Sequence, residues 1–449
     1  MKPAWHKYLT RNVPRYTSYP SALAFREGFE KIAYERALAQ IAEGEPLSLY
    51  IHIPFCKKLC WYCGCNMRVE NKAERILAFV DDLLCELDLV AGKLGGRGRL
   101  RQVHFGGGTP NTLSTDDLTR ILSAVRERFT LPEGAPVVME IDPRLHPGEA
   151  AGTLAKAGIT RFSIGVQDFD PGVQQAINRV QPFSMVEGVV SALRQEGAAD
   201  ISLDVLYGLP KQTLCGFRRT VEQVIALKPD RVSLFGYAHL PERLPHQRLI
   251  LESDLPSRPL RIALEESAAS MLVAAGYERI GFDHYALAET SIAKANRAKR
   301  LHRNFQGFTE DDAHNVIGLG PSAISTVDGV LAQNAKDLRA YRTALSEGKL
   351  PIERGVIASL EEEDLGSWLK RLVCDLEGDL RQYCDITGAN IEEWERTSNE
   401  LAPLIEDGIV RIENDTIFIA EEAKPLARLV ASVFDPACRT GQGFASPAV

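Results

Sequence analysis

The chain has 449 residues, with 52 Lys and Arg against 60 Asp and Glu, for a formal net charge of −8. That balance argues against nucleic acid as the main partner, and 45% hydrophobic with 25% charged residues is ordinary for a water-soluble globular protein. No apolar run approaches a membrane span, and the opening MKPAWHKYLTRNVPRYTSYP lacks the continuous apolar core of a secretion signal.

Six short apolar runs read as buried strands: Leu47–Ile53, Gln102–Phe105, Val137–Ile141, Arg161–Val166, Ile201–Leu206 and Arg231–Gly236. The stretches between them carry helical periodicity, notably Ala73–Leu94, Thr115–Phe129 and Cys215–Leu227, with the run Ser114-Thr115-Asp116-Asp117 placed to cap the second. Alternating strands and helices imply right-handed βαβ units and a parallel sheet. The expected fold class is therefore α/β, a partial (βα)6 TIM-like barrel open at one side. Polar and glycine residues follow the strands, as in Gly106–Pro110, Asp142–Arg144, Gln167–Asp168 and Tyr207–Pro210. One rim is thus the expected site. From about Pro351 the character changes. Helices are expected over Ser359–Gly378 and Ile391–Asp407, a hairpin over Gly408–Ala420 and a helix over Glu421–Phe434. That is a small, mostly helical, winged-helix-like domain whose Glu361–Asp364 run suits no nucleic-acid surface. The expected domains are an N-terminal extension (1–46), a catalytic domain (47–350) and this C-terminal domain (351–449).

Nine cysteines are unevenly spread: Cys56, Cys60, Cys63 and Cys65 are crowded together, while Cys85, Cys215, Cys374, Cys384 and Cys438 lie far apart. That is no disulfide framework, and it fits a reducing cytoplasm. The spacing Cys56-Lys-Lys-Leu-Cys60-Trp-Tyr-Cys63 carries the chemistry. Three thiolates can hold three irons of a [4Fe–4S] cube and leave the fourth iron open to a small molecule. A structural zinc site normally takes four ligands in two separated pairs, and no second Cys-x-x-Cys or His-x-x-x-His follows downstream.

With an aromatic just before its third cysteine, the motif resembles the signature of the radical S-adenosylmethionine superfamily. More narrowly, the chain resembles the oxygen-independent coproporphyrinogen III oxidase (dehydrogenase) family. The matching segments run collinearly: PRYTSYP (14–20), YIHIPFCKKLCWYCGCN (50–66), FGGGTP (105–110), EIDPR (140–144), GVQDF (165–169), INR (177–179), LDVLYGLPKQT (203–213), YAHLP (237–241), LHRNFQGFT (301–309) and GPSAIS (320–325).

The resemblance implies that Cys56, Cys60 and Cys63 bind the cluster. It further implies that Tyr50, Tyr62, Gly107, Gly108, Thr109, Glu140, Gln167, Arg179, Asp204, Ala238 and Ile324 line sites for two S-adenosylmethionine molecules. The implied reaction converts two propionates of coproporphyrinogen III to vinyl groups through a 5′-deoxyadenosyl radical, giving protoporphyrinogen IX. An unactivated C–H bond is beyond side-chain acids and bases, so a radical cofactor is required. The substrate is a tetrapyrrole polycarboxylate, for which Arg15, His302 and Arg303 are candidate contacts; the role of Cys65 is open. The remaining expectations are an electron donor such as flavodoxin or ferredoxin, no nucleic-acid or membrane partner, a cytoplasmic location and a monomeric state.

The chain departs from the family pattern at its C-terminal end. Leu365 and Gly366 stand where a basic pair is usual, Phe434-Asp435 is followed by Pro436 where a tyrosine is usual, and Pro447 replaces a closing arginine. This keeps two alternatives in view, a related radical enzyme acting on haem (a ring-opening methyltransferase) and a haem chaperone. Against the chaperone stand Cys65, where that group has phenylalanine, and the PRYTSYP segment, which it lacks.

Overall fold

The computed structural model describes residues 2–9, 11–439 and 446–447. The chain divides into two compact units: Arg26–Gly276 with Asp312–Gly355, and Met1–Phe25 with Tyr277–Asp311 and Val356–Val449.

In the first unit lie β1 (Pro46–Ile53), β2 (Arg99–Gly107), β3 (Val137–Ile141), β4 (Arg161–Gln167), β5 (Asp200–Tyr207) and β6 (Arg231–Gly236). They pair in chain order and all in parallel. Their near-continuous apolar runs suit strands covered on both faces, and from Leu47 to Ile53 every residue of β1 is buried. The covering helices include α1 (Ala73–Leu94), α2 (Thr115–Arg128), α3 (Phe183–Gln195) and α4 (Leu214–Ala226). Helix α1 buries Ile76, Phe79, Val80, Leu83, Leu87 and Val90, one stripe at helical spacing. Ser114 caps α2 as expected, in a reciprocal box with Asp117 that satisfies two otherwise orphaned N–H groups.

Strands β1 and β6 do not pair, so the six-stranded barrel stays open, as the sequence suggests. The free edge of β1 is covered by something the sequence reading missed. Strand β7 (Asn315–Leu319) pairs in parallel with β1, and two antiparallel strands, Ile324–Val327 and Val330–Asn334, continue outward. Its five residues are interrupted by Gly318 and followed by Gly320-Pro321, a pattern that reads as a turn.

The second unit holds helices Leu360–Asp375, Leu380–Thr387, Ile391–Glu406 and Ala427–Phe434 and a three-stranded antiparallel sheet, Glu377–Asp379, Thr416–Ile419 and Val410–Glu413 in that spatial order. The expected hairpin is present. The expected helix from Glu421 begins as a 3-10 segment, Glu421–Leu426, because Pro425 has no N–H to continue an α-helical ladder. Trp368, Tyr383 and Phe434 pack mutually with ring centroids 4.9–5.1 Å apart and form an aromatic core.

The C-terminal departures have a structural role here. Leu365 is buried. At Gly366 an added Cβ would sit 2.8 Å from Cβ of Tyr19, so this backbone leaves no room for a longer side chain. Tyr19 and Tyr16 both donate hydroxyl hydrogen bonds to the Asp435 carboxylate, at 3.0 and 3.2 Å. The backbone of Pro447 pairs with that of Asn12. Where the resemblance implies a basic pair, this chain has a buried leucine and a glycine set against Tyr19.

Candidate active site

Every residue that the sequence reading connects with cluster or S-adenosylmethionine lies in the first unit, and most sit at or just beyond the C-terminal ends of β1–β6. In a parallel sheet those ends are where loops converge. The cysteine loop leaves β1 and is clamped through its backbone. Asn178 Nδ2 donates to the Leu59 carbonyl at 2.8 Å, and the Trp61 amide donates to the Ile177 carbonyl at 3.0 Å. Gln247 Nε2 donates to the carbonyls of Tyr62 (3.0 Å) and Ala238 (3.3 Å), and the His246 ring lies 2.7 Å from the Cys63 carbonyl. Trp61 and Tyr62 pack against the buried group Val173, Ile177, Leu209, Tyr237 and Ile250. The loop is thus held at both sides.

Each of the three sulfurs has its own hydrogen-bond neighbours. Cys56 Sγ lies 3.1 Å from the Thr109 hydroxyl, and Cys63 Sγ accepts from the Cys65 amide at 3.4 Å. Cys60 Sγ accepts from two guanidinium groups, Arg144 Nη2 at 3.4 Å and Arg179 Nη1 at 3.6 Å. Donors aimed at sulfur suit metal-bound thiolates. Among the described residues no three His, Cys, Asp or Glu side chains are gathered tightly enough to hold one metal ion. A cube needs a different arrangement, since each thiolate takes a separate iron. Burial pushes the Cys56 thiol up to about 12, whereas hydrogen bonding from Cys65 holds Cys63 down at about 6. Cys65 moves the other way, raised chiefly by the side-chain hydrogen bond between its thiol and Cys63.

The glycine turn after β2 approaches this loop closely. Gly107 has φ +113°, and a Cβ there would meet the His52 ring at 2.7 Å; at Gly108 a Cβ would lie 2.9 Å from the Phe55 carbonyl oxygen. Only glycine allows both the conformation and the approach. The Gly107 amide donates to Glu140 Oε2 at 3.3 Å, and His104 Nε2 lies 3.3 Å from the other carboxylate oxygen. Tyr50 faces His52, Oη to Nδ1 3.1 Å, while His52 Nε2 lies 2.9 Å from the Asn66 carbonyl. A carbonyl can only accept, so Nε2 carries the proton and Nδ1 accepts from Tyr50. Burial lowers the His52 pKa and favours that neutral ring.

Further round the rim, Ser163 Oγ donates to the Asp204 carboxylate at 3.0 and 3.1 Å across neighbouring strands. Gln167 adopts φ +68° at a bulge in β4. Ile324 opens the strand that follows β7. Arg179, which the resemblance places in the lining of the S-adenosylmethionine sites, is engaged within the protein. It donates to Asp142 (3.1 Å), to the Gly165 carbonyl (2.7 Å) and to Cys60. Burial alone would raise the Asp142 carboxyl, but Arg179 and Arg144 together hold it down at about 2. Asp142 and Arg144, which the sequence places on the expected rim without a role, gather around Cys60, whereas Asn178, His246 and Gln247 are partners that sequence reasoning missed. Asn178 stands inside the matched segment INR; nothing marks His246 and Gln247.

The substrate candidates lie in the second unit. Arg303 is buried at 7% exposure, with its guanidinium carbon 4.3 and 4.6 Å from the ring centroids of Phe282 and Phe308. Its Nε donates to the Arg15 carbonyl at 3.2 Å, and its other end faces Asp283 at 3.7 Å. His302 is its neighbour on the strand His302–Asn304, so the two side chains leave opposite faces. Arg15 itself is exposed. These three therefore form no single exposed cationic patch: Arg303 pins the Arg15 segment from below.

Fold and loop together define a radical S-adenosylmethionine catalytic domain, and the radical SAM superfamily model matches residues 50–224. Similarity then extends to the full length. The oxygen-independent coproporphyrinogen III oxidase of Bradyrhizobium diazoefficiens is 37% identical over 98% of both chains. That of Pseudomonas aeruginosa is 39% identical over 94% of this chain and 93% of its own. The solved coproporphyrinogen III oxidase HemN from Escherichia coli, described as a radical SAM enzyme, superposes with a TM-score of 0.89 at 35% identity, covering 94% of this chain and 97% of that one. The chain belongs to the oxygen-independent coproporphyrinogen III oxidase family. Enzymes of this superfamily work with a [4Fe–4S] cluster and S-adenosylmethionine, and the donor set around Cys56, Cys60 and Cys63 fits such a cluster.

Proposed function

We propose that this chain oxidatively decarboxylates two propionate side chains of coproporphyrinogen III to vinyl groups, without oxygen, yielding protoporphyrinogen IX. The observation that carries the reading is near-full-length kinship with named coproporphyrinogen III oxidases combined with a loop of three donor-supported thiols. When bound, the cluster and S-adenosylmethionine supply a carbon radical able to take hydrogen from an unactivated C–H bond.

The protein's own residues bind and orient. Cys56, Cys60 and Cys63 hold three irons. The Gly107–Gly108 backbone, free of side chains, approaches the methionyl end of the ligand, with Glu140 beside it as acceptor for an ammonium group. Asp204 and Glu140 suit ribose hydroxyls or ammonium, while Tyr50, Tyr62, Thr109, Gln167, Arg179, Ala238 and Ile324 complete the walls for two S-adenosylmethionine molecules. Arg15 and His302 are the proposed contacts to substrate carboxylates, and Arg303 supports Arg15. A low-potential flavodoxin or ferredoxin serves as electron donor to a monomeric protein. Nine free cysteines suit a reducing cytosol, and no helix among the described residues is long and apolar enough to cross a membrane.

The test is product analysis under strict anoxia with iron, sulfide, reductant, S-adenosylmethionine and coproporphyrinogen III. The expected product is protoporphyrinogen IX with 5′-deoxyadenosine. Deoxyadenosine without a vinyl product would assign the chain another tetrapyrrole, and methylated tetrapyrrole would assign it a transferase.

A further inference from the structure

The three cluster cysteines are not electrostatically equivalent. Cys56 and Cys63 have neutral hydrogen-bond partners, a hydroxyl and an amide. Cys60 faces two guanidinium groups, Arg144 and Arg179, which share one carboxylate, Asp142. Two cations and one carboxylate leave one positive charge over. A thiolate at Cys60 closes the count.

The assembly is built from the sheet outward. Asp142 follows β3 directly, and its backbone makes a reciprocal pair with the Asn111 side-chain amide, both hydrogen bonds at 3.0 Å. The turn Asp142-Pro143-Arg144 folds back on itself. The Arg144 amide donates to Asp142 Oδ1 at 3.0 Å, Nε to the same oxygen at 2.9 Å, and Nη2 to Oδ2 at 2.6 Å. This fixes the guanidinium plane and leaves Nη2 3.4 Å from Cys60 Sγ. The Arg144 side chain is 15% exposed and that of Asp142 8% exposed, so water screens the arrangement little.

We propose that Arg144, held in its plane by Asp142, is a redox-positioning residue for the iron ligated by Cys60. It rests on the proposed function only in that Cys60 must ligate a cluster. A cationic N–H directed at a ligand sulfur stabilises the extra negative charge of the reduced state and raises the reduction potential. One electron from a low-potential reductant enters the cluster without a proton, and Arg144 with Arg179 offsets the added charge. Since Arg144 carries more freedom toward solvent than Arg179, it is the member whose loss the fold tolerates best.

The test uses full-length protein reconstituted anaerobically with iron and sulfide, without S-adenosylmethionine. Wild type, Arg144→Lys and Arg144→Met are compared by dithionite titration followed by electron paramagnetic resonance, with iron per chain and thermal midpoint measured alongside. The expected result is a lower midpoint potential in R144M at unchanged iron content, with R144K intermediate because it keeps charge but not the fork. A residue that merely braces the Asp142 turn would lower iron content or thermal stability and leave the potential in place. Equal potentials in wild type and R144M at equal iron overturn the proposal. If R144M fails to retain iron, R144K decides: a wild-type potential there overturns it equally. Failure of the wild type to bind a cluster at all would instead overturn the functional reading.

Discussion

Glu86 on α1 is a carboxyl group at 1% exposure, and its replacement by glutamine gives a sharp test of the local energetics. It accepts three hydrogen bonds, from the Gly320 amide (2.7 Å), Asn334 Nδ2 (2.6 Å) and the Tyr341 hydroxyl (2.6 Å). None of those donors is charged. Burial therefore outweighs the three bonds and pushes the carboxyl up to about 7, from an ordinary value of 4.5. A raised acid contributes stability that is complete below its unfolded pKa and is lost as pH climbs through the folded one. At about 1.4 kcal/mol per unit, the loss between pH 4.5 and 7 is about 3 kcal/mol. Glu86→Gln cannot titrate, so its stability relative to wild type should rise by about 3 kcal/mol between pH 5 and pH 8, whatever fixed offset its altered hydrogen bonds impose. Urea unfolding of both proteins at four pH values, under reductant, measures this. A flat difference across that range would refute the reasoning and mean that three neutral donors suffice to keep the carboxylate ionised. The position matters for the site because Gly320 packs against the His52 carbonyl, where a Cβ would come within 2.3 Å, and Ile324 follows four residues on.

Three further outcomes are expected. Cys60→Ala should abolish the brown cluster absorption after reconstitution, whereas Cys85→Ala, far from the loop, should leave iron content unchanged. Asp142→Asn leaves two buried guanidinium groups without their shared anion, so a loss of about 3–5 kcal/mol in denaturant unfolding is expected; a loss under 1 kcal/mol would show that the cations find other partners. Gly366→Arg, which restores a basic side chain at a position where a Cβ already meets Tyr19, should cost about 1–3 kcal/mol by overpacking. Proteolysis near residue 19 should then quicken, and unchanged proteolysis would contradict the steric account.

How much of this was legible in the sequence depends on the range of the interaction. The six barrel strands read well because each is a buried apolar run bounded by polar and glycine residues, and α1 emerged with its observed ends because one stripe repeats for six turns. Ser114 was legible because capping is local. Strand β7 was not, because its partner β1 lies more than 250 residues earlier and its five residues look like a glycine-broken turn. The helix from Glu421 was misread at its start because Pro425 acts on hydrogen bonding that periodicity does not register. In the site, the cysteine spacing announced its chemistry unaided. The partners of Arg179 did not: residue type says only that it seeks an anion, and Asp142 and Cys60 are met through the fold. The burial of Arg303 was hidden for the same reason, since the two phenylalanine rings that flank it are met through the fold.

The account depends on a cluster iron that no side chain caps. The most direct measurement is the electron paramagnetic resonance spectrum of the anaerobically reconstituted, reduced protein before and after adding S-adenosylmethionine. A [4Fe–4S]¹⁺ signal that shifts on addition and is accompanied by 5′-deoxyadenosine is predicted. A colourless protein without iron, or a cluster whose signal ignores S-adenosylmethionine, would contradict it.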